Sequence, residues 1–114
     1  MTRALAGRTA VVTGAAGGIG SAITGLFLSQ GAGVLAVDHH AEGLAQLHDA
    51  VGQDAAMARL AIDVTAHDAA EQIRDTARER FGNVDILVNN AGIGGSRPVA
   101  ELSDDDWQRT IDTN

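Results

Sequence analysis

Short apolar runs alternate with helical patterns along most of this chain. The runs that predict strands are residues 9–13, 34–38, 57–64 and 85–89. Each run is short and nearly continuously apolar, which is typical of parallel strands that are buried on both faces. Strands separated by helices in this way require a parallel sheet with right-handed crossovers. The pattern therefore predicts an α/β protein.

Between these runs, apolar residues recur at helical spacing and predict the helix faces that pack on the sheet. The face predicted for the first helix is Ile19, Ala22, Ile23, Leu26 and Phe27. The second comprises Leu44, Leu47 and Val51, and the third Ala69, Ala70, Ile73, Ala77 and Phe81. After a glycine-rich stretch, Ser103 is typical of an N-cap for a fourth helix that runs through Trp107 and Ile111.

A glycine-rich turn joins the first predicted strand to the first predicted helix. Residues 13–20 read Thr-Gly-Ala-Ala-Gly-Gly-Ile-Gly. Gly14 permits a tight turn, Gly18 lets the main chain approach a phosphate, and Gly20 lets the helix pack close to the strand. The free N–H groups and the dipole of the helix N-terminus favour an anion in this turn. The turn therefore predicts a dinucleotide site.

Asp38 ends the second predicted strand and indicates which dinucleotide binds. A carboxylate there can accept hydrogen bonds from both hydroxyls of an adenosine ribose, and it repels a 2′-phosphate. Position 17, inside the glycine-rich turn, is glycine and not arginine or lysine. The two residues after Asp38, His39 and His40, carry no fixed positive charge. NAD is therefore favoured over NADP. The alternative is that Asp38 only caps a turn or the next helix.

Two further segments lie at predicted strand ends. Asp63 and Val64 close the third strand, where an acid and an apolar residue could bracket an adenine edge. The segment Asn89-Asn90-Ala91-Gly92 leaves the fourth strand at its carboxyl end, where ligands bind in open α/β sheets. Asn side chains can fix a sharp turn there, and Gly92 allows a close approach to a cofactor. A plain strand-to-loop turn is an equally good explanation of this second segment.

Composition and charge exclude several classes of function. The chain has 114 residues, which suits one domain, and a net charge of -7, which argues against nucleic acid or an anionic membrane as partner. It has no cysteine, which excludes disulfides and thiolate chemistry, and its four histidines lack metal-ligand spacing. No run is long enough to span a membrane, and the N-terminus does not resemble a signal peptide. A soluble, cytoplasmic protein is the expectation.

Taken together, these motifs resemble the short-chain dehydrogenase/reductase family. The match rests on the turn at 13–20, Asp38, the pair Asp63-Val64 and the segment 89–92, in that order. The resemblance implies a Rossmann-type doubly wound sheet with strand order 3-2-1-4. It also implies nicotinamide-dependent oxidoreduction of an alcohol or carbonyl in a small molecule, and a homo-oligomer. The cofactor residues it implies are Gly14, Gly18, Ile19, Gly20, Asp38, Asp63, Val64, Asn90, Ala91 and Gly92.

The catalytic set implied by this resemblance is only partly present. Asn114 matches an asparagine that supports a water relay, and it is the last residue. The resemblance also implies a serine, a tyrosine that transfers the proton and a lysine that lowers the pKa of that tyrosine. This chain has neither tyrosine nor lysine. Without a general acid, a rate contribution of about 10²–10⁴ is lost, so the chain alone is expected to be inactive.

Three interpretations follow from the sequence. The first is that residues 1–114 are the NAD-binding N-terminal part of a dehydrogenase, truncated before its catalytic segment. The second is a non-catalytic nucleotide-binding module, whose fourth strand would leave Ile86, Leu87 and Val88 uncovered on one side. The third is a Rossmann-like domain for another nucleotide or S-adenosylmethionine, which the Asn-Asn-Ala-Gly segment argues against.

Overall fold

The computed structural model describes residues 4–52 and 55–90. Strands and helices alternate along this part of the chain. The strands are β1 (Thr9–Thr13), β2 (Gly33–Asp38), β3 (Met57–Ala61) and β4 (Ile86–Asn89). The helices are α1 (Gly18–Ser29), α2 (Ala41–Val51) and α3 (Ala69–Phe81). The predicted fourth helix lies outside the described residues.

The strands form one parallel sheet in the order β3-β2-β1-β4, which confirms the predicted α/β fold. All five residues of β1 are buried, since this strand is central and both of its faces are covered. Alternate residues point to opposite faces of the sheet, so Val12 packs toward α1 and α2, while Val11 packs toward α3. The sheet is therefore covered by helices on both faces.

Among the strands that the structure describes, β4 lies at one edge of the sheet, and Asp85 fixes its start against β1. The Thr9 N–H donates to Asp85 Oδ2 at 2.9 Å, and the Asp85 N–H donates to the Thr9 carbonyl at 2.9 Å. All four residues of β4 are half-buried, as predicted for an edge strand. The register pairs Thr13 with Asn89, so the carboxyl ends of β1 and β4 lie side by side.

The third strand is shorter than predicted. It ends at Ala61, which pairs with Asp38, the last residue of β2. The Ile62 N–H still donates to the Asp38 carbonyl at 2.9 Å, and the ladder ends there because Asp38 is the last residue of β2. The following residues turn away, because the Asp63 carboxylate accepts hydrogen bonds from Thr65 and the Asp63 carbonyl accepts one from the Ala66 N–H. Asp63 and Val64 therefore follow the strand rather than close it.

The predicted inner face of α1 is wrong in part. Ile19 and Leu26 are 70% and 57% exposed, and Ala22 is exposed too. The residues of α1 that are buried are Gly20 and Thr24. A glycine and a threonine can form this face because the helix lies close to the turn that precedes it, where larger side chains would not fit. No helix among the described residues is long and apolar enough to cross a membrane.

Candidate functional site

A cleft of about 640 Å³ opens at the carboxyl ends of the strands. This is the edge of an open α/β sheet where ligands bind, since the chain leaves each strand there and the helices diverge. The lining residues come from the glycine turn, the end of β2, the segment after β3 and the end of β4. They are Gly14, Gly17, Gly18, Ile19, Asp38, His39, Ile62, Asp63, Val64, Thr65 and Asn90.

The glycine turn is held by its own backbone and by β2. Gly14 has a φ of 66°, a left-handed conformation that glycine adopts without strain. The Gly17 N–H donates to the Gly14 carbonyl at 3.2 Å, and the Ala15 N–H donates to the Val37 carbonyl at 3.1 Å. The predicted role of Gly14 in a tight turn is consistent with this geometry.

The N-terminus of α1 opens directly into the cleft. Gly17 is its N-cap, no side chain caps it, and its first turn has no acidic residue. The first N–H groups of a helix have no partner within the helix, and here Gly18 and Ile19 both line the cleft. These amides and the positive end of the helix dipole form a place for an anion.

Gly20 lies behind the turn rather than in the lining of the cleft. A Cβ atom added to Gly20 would lie 2.1 Å from the Gly14 carbonyl oxygen and 2.8 Å from its carbon. Any larger residue would therefore push the helix away from the turn. Thr24, which is fully buried, donates from Oγ1 to the Gly20 carbonyl at 2.8 Å. The predicted role of Gly20 in close packing fits this arrangement.

Asp38 is almost fully buried and is bound to the glycine turn. Its Oδ2 accepts from the Ala16 N–H at 3.0 Å, and its Oδ1 accepts from the His40 N–H at 3.1 Å. Asp38 therefore does cap a turn, as the alternative interpretation stated. A carboxylate offers about four acceptor positions, so these two bonds leave room for ligand hydroxyls. Because Asp38 also lines the cleft, both roles are compatible.

Asp63 lies across the cleft from the glycine turn, in the segment after β3. Its Oδ1 accepts from the Thr65 hydroxyl at 2.6 Å and from the Thr65 N–H at 2.9 Å. These bonds favour the ionised carboxyl and lower the pKa of Asp63, the hydroxyl contributing most, with a smaller effect from His39. Val64 follows and also lines the cleft. This segment therefore presents a fixed anion beside an apolar side chain.

Asn90 joins the exit of β4 to the glycine turn. Its N–H donates to Thr13 Oγ1 at 3.0 Å, and its Nδ2 donates to the Gly14 carbonyl at 3.4 Å. The Thr13 hydroxyl also lies 3.2 Å from Asn89 Oδ1. The Asn90 side chain thus bonds the backbone of a different turn from its own. Three predicted site residues, Ala91, Gly92 and Asn114, lie outside the described residues.

Several contributions to the site were not predicted. Ile62 and Thr65 line the cleft, and the spacing Asp-x-Thr at 63–65 is a local signal for such a turn. His40 caps α2, because its Nδ1 accepts from the Gly43 N–H at 3.1 Å. No sequence signal indicated that cap, since histidine is not among the common N-cap residues. Within residues 4–52 and 55–90, no group of three potential ligands could hold a metal ion.

Comparison with known families gives one match that covers most of the chain. The family model described as short chain dehydrogenase matches residues 8–114. Among curated relatives, 3beta-hydroxysteroid dehydrogenase 2 of Eggerthella lenta is 43% identical over 112 residues. That alignment covers 96% of this chain and 43% of the relative, so the chain spans less than half of that relative's length.

Solved structures of dehydrogenases and reductases are also similar to this chain over most of its length. A short-chain dehydrogenase/reductase from Brucella melitensis is 42% identical with a TM-score of 0.76, and the match covers 99% of this chain and 48% of that one. L-Sorbose reductase from Gluconobacter frateurii, solved with NADPH and L-sorbose, is 32% identical with a TM-score of 0.74. That match covers 95% of this chain and 42% of the reductase.

Proposed function

The chain belongs to the short-chain dehydrogenase family, and from this premise we propose that residues 1–114 form an NAD-binding Rossmann domain. Its function is to hold the cofactor for hydride transfer between NAD and an alcohol or carbonyl of a small molecule. The observation that supports this most strongly is the position of Asp38. Its carboxylate lines the same cleft as the uncapped N-terminus of α1.

The proposed orientation of NAD follows from the chemistry of the lining. The pyrophosphate binds at Gly18 and Ile19, where the helix amides are open to the cleft. The adenosine ribose binds at Asp38, whose carboxylate has acceptor positions left. The adenine lies beside Asp63 and Val64. The nicotinamide then lies toward Asn90, which lines the cleft at the end of β4.

The preference for NAD rests on charge. The described residues that line the cleft include two carboxylates, Asp38 and Asp63, and no lysine or arginine. A 2′-phosphate next to Asp38 would be repelled without a fixed cation to offset the repulsion. Because the related L-sorbose reductase was solved with NADPH, the fold itself accommodates a phosphorylated cofactor. Selection must therefore come from individual side chains such as Asp38.

A titration of the chain with NAD+ and NADP+ by calorimetry tests this proposal. We expect NAD+ to bind about tenfold or more tightly than NADP+, since hydrogen bonds to a charged group contribute about 1.5–3 kcal/mol. Asp38→Asn should lower that ratio several-fold. The matched control is Asp75→Asn, which removes one charge from an exposed position of α3 that does not line the cleft. Equal affinities in the unsubstituted chain would contradict the proposal.

We further propose that this chain by itself binds the cofactor without turnover. Its sequence has neither tyrosine nor lysine, the pair that the family resemblance implies for proton transfer. Hydride transfer then requires groups from other residues, and the chain alone acts as a nucleotide-binding module. Assays of NADH oxidation against simple ketones and aldehydes should show no rate above the background. A measurable turnover number, with a pH profile, would contradict this.

The proposal extends to the oligomeric state of the protein and to its location in the cell. We expect a homo-oligomer, because within residues 4–52 and 55–90 the half-buried strand β4 lies at the edge of the sheet and carries Ile86, Leu87 and Val88. A cytoplasmic location remains part of the proposal that the family resemblance supports. An exposed edge with apolar residues favours pairing with another chain. Light scattering should give a mass above that of one chain, and its dependence on concentration would report the affinity. A sharp monomer at all concentrations, with a cooperative melt, would contradict the oligomer.

A further inference from the structure

Among the described residues that line the cleft, His39 is the one that can acquire a positive charge. Among the described residues that line it, Asp38 and Asp63 are acidic and the others apart from His39 do not titrate near neutral pH. Histidine changes its charge between about pH 5 and 8. A proton on His39 would therefore change the net charge of the lining at the adenosine end.

The geometry places this imidazole against the carboxylate that faces the ribose. His39 Nδ1 lies 3.3 Å from Asp38 Oδ1, and the His39 side chain is 80% exposed. Asp63 lines the same cleft, and a positive charge on His39 contributes slightly to lowering the pKa of Asp63. The imidazole is thus held beside Asp38 and is exposed enough to reach a ligand.

The neighbouring titratable groups do not duplicate this role. His40 follows in sequence, but its Nδ1 is the acceptor that caps α2. Glu42 lies in the exposed first turn of α2, and neither residue lines the cleft. In the part of the chain that the structure describes, the charges that line the cleft are thus those of Asp38, His39 and Asp63, together with the positive dipole end of α1.

We propose that His39 is a specificity residue whose protonation weakens the preference for NAD over NADP. When His39 is neutral, two carboxylates repel a 2′-phosphate. When it is protonated, it offsets one of these charges and can itself donate to the phosphate. The inference rests on the proposed function, since it assumes that the adenosine ribose lies at Asp38.

The test is the ratio of the Kd for NADP+ to the Kd for NAD+, measured by calorimetry at about pH 8 and about pH 6. The 2′-phosphate itself gains a proton near pH 6, so some fall in the ratio occurs without any histidine. His39→Gln isolates that background, because glutamine keeps a polar side chain that cannot become charged. The matched control is His67→Gln, an exposed histidine outside the cleft lining.

In the unsubstituted chain and in His67→Gln, we expect the ratio to fall about three- to tenfold more between these pH values than in His39→Gln. His39→Arg should give a low ratio already at the higher pH, with little further change. The same pH dependence in His39→Gln as in the unsubstituted chain would overturn the inference while leaving the NAD site intact. Failure of either dinucleotide to bind at both pH values would instead overturn the proposed function itself.

Circular dichroism of each variant at both pH values separates folding from specificity. A ratio of two affinities is unchanged by a uniform loss of folded protein, since both cofactors bind the same state. A purely structural role of His39 would therefore weaken NAD+ and NADP+ equally. That result would also overturn the inference.

Discussion

The two ends of the cleft are built from different parts of the chain. At the glycine-turn end, the lining is backbone: Gly14, Gly17 and Gly18 present amides and carbonyls at the N-terminus of α1. At the acidic end, the lining is side chains, with Asp38, His39 and Asp63 leaving neighbouring strands. Backbone groups cannot be exchanged by substitution, but they can be displaced by an added Cβ atom. Side chains can be exchanged singly.

The two ends make different contributions to affinity and to specificity. The glycine-turn end offers partial positive charge to any phosphate, so it favours all dinucleotides alike. The acidic end carries the charges that distinguish a ribose hydroxyl from a 2′-phosphate. The two ends are nevertheless joined, because Asp38 accepts a hydrogen bond from the Ala16 N–H within the turn. Substitutions at Asp38 should therefore affect both folding and selectivity.

The substitution with the largest expected effect on stability disrupts the packing at the glycine-turn end of the cleft. Gly20→Ala places a Cβ atom 2.1 Å from a backbone oxygen, a clash that only movement of the helix relieves. We expect a loss of about 3 kcal/mol or more in the free energy of unfolding, measured with urea.

The control for that substitution lies in the same helix. A Cβ atom added at Gly25 meets nothing within 4 Å. Gly25→Ala should stabilise the chain by about 0.5–1 kcal/mol, because alanine favours the helix. Equal stability of the two variants would show that close packing at Gly20 does not matter.

The second-largest effect is expected from removing the Asp38 carboxylate at the acidic end of the cleft. Asp38→Ala removes the acceptor for the Ala16 and His40 amides, so we expect a loss of about 2 kcal/mol in the free energy of unfolding. It should also abolish the preference for NAD. Asp38→Asn retains one amide-accepting oxygen, and its loss of stability should be smaller. If Asp38→Ala left stability unchanged, the link between the two ends would be disproved.

A substitution at Asp85, which lies outside both ends of the cleft, separates stability from selectivity. Asp85 holds β4 against β1 through the Thr9 N–H, and its ion pair with the exposed Arg8 contributes little. Asp85→Ala should lower the free energy of unfolding by about 1 kcal/mol. The ratio of the two cofactor affinities should not change. A change in that ratio would mean that selectivity follows stability rather than the charges in the cleft.

The smallest effect concerns Asp63 at the acidic end. Its pKa is lowered mainly by the Thr65 hydroxyl. A lowered pKa in the folded state stabilises the protein above the unfolded pKa, and this is lost as pH falls through the folded pKa, below about pH 4. Thr65→Val should raise the pKa of Asp63 toward its ordinary value, as measured by NMR titration of its carboxyl carbon. An unchanged pKa would contradict the assigned cause.

The fold and the glycine-turn end could be predicted because their causes are local. A buried parallel strand is a continuous apolar run, and a tight turn into a helix needs glycine at fixed positions. The predicted end of β3 and the predicted inner face of α1 were wrong because each depends on contacts with a neighbouring element. The end of β3 depends on where β2 ends, and the inner face of α1 depends on how closely Gly20 approaches the turn.

The acidic end was predictable only in its residue types. Asp38 and Asp63 were found from their positions near strand ends, and the structure brings both to one cleft. Their partners were not predicted, since the bond from Asp38 to Ala16 joins residues on different elements. The cap formed by His40 has no common sequence signal. Hydrogen bonds between distant residues are decided by the folded geometry alone.

We propose that one cleft binds NAD with its pyrophosphate at the glycine turn and its adenosine at Asp38. The decisive experiment is NMR of the isotope-labelled chain during titration with NAD+. We expect the amide signals of Gly18, Ile19, His39 and Val64 to shift together with one Kd. Shifts confined to the separate groove between α1 and α2, at Gly25 and Leu28, would contradict it, as would the absence of any shift.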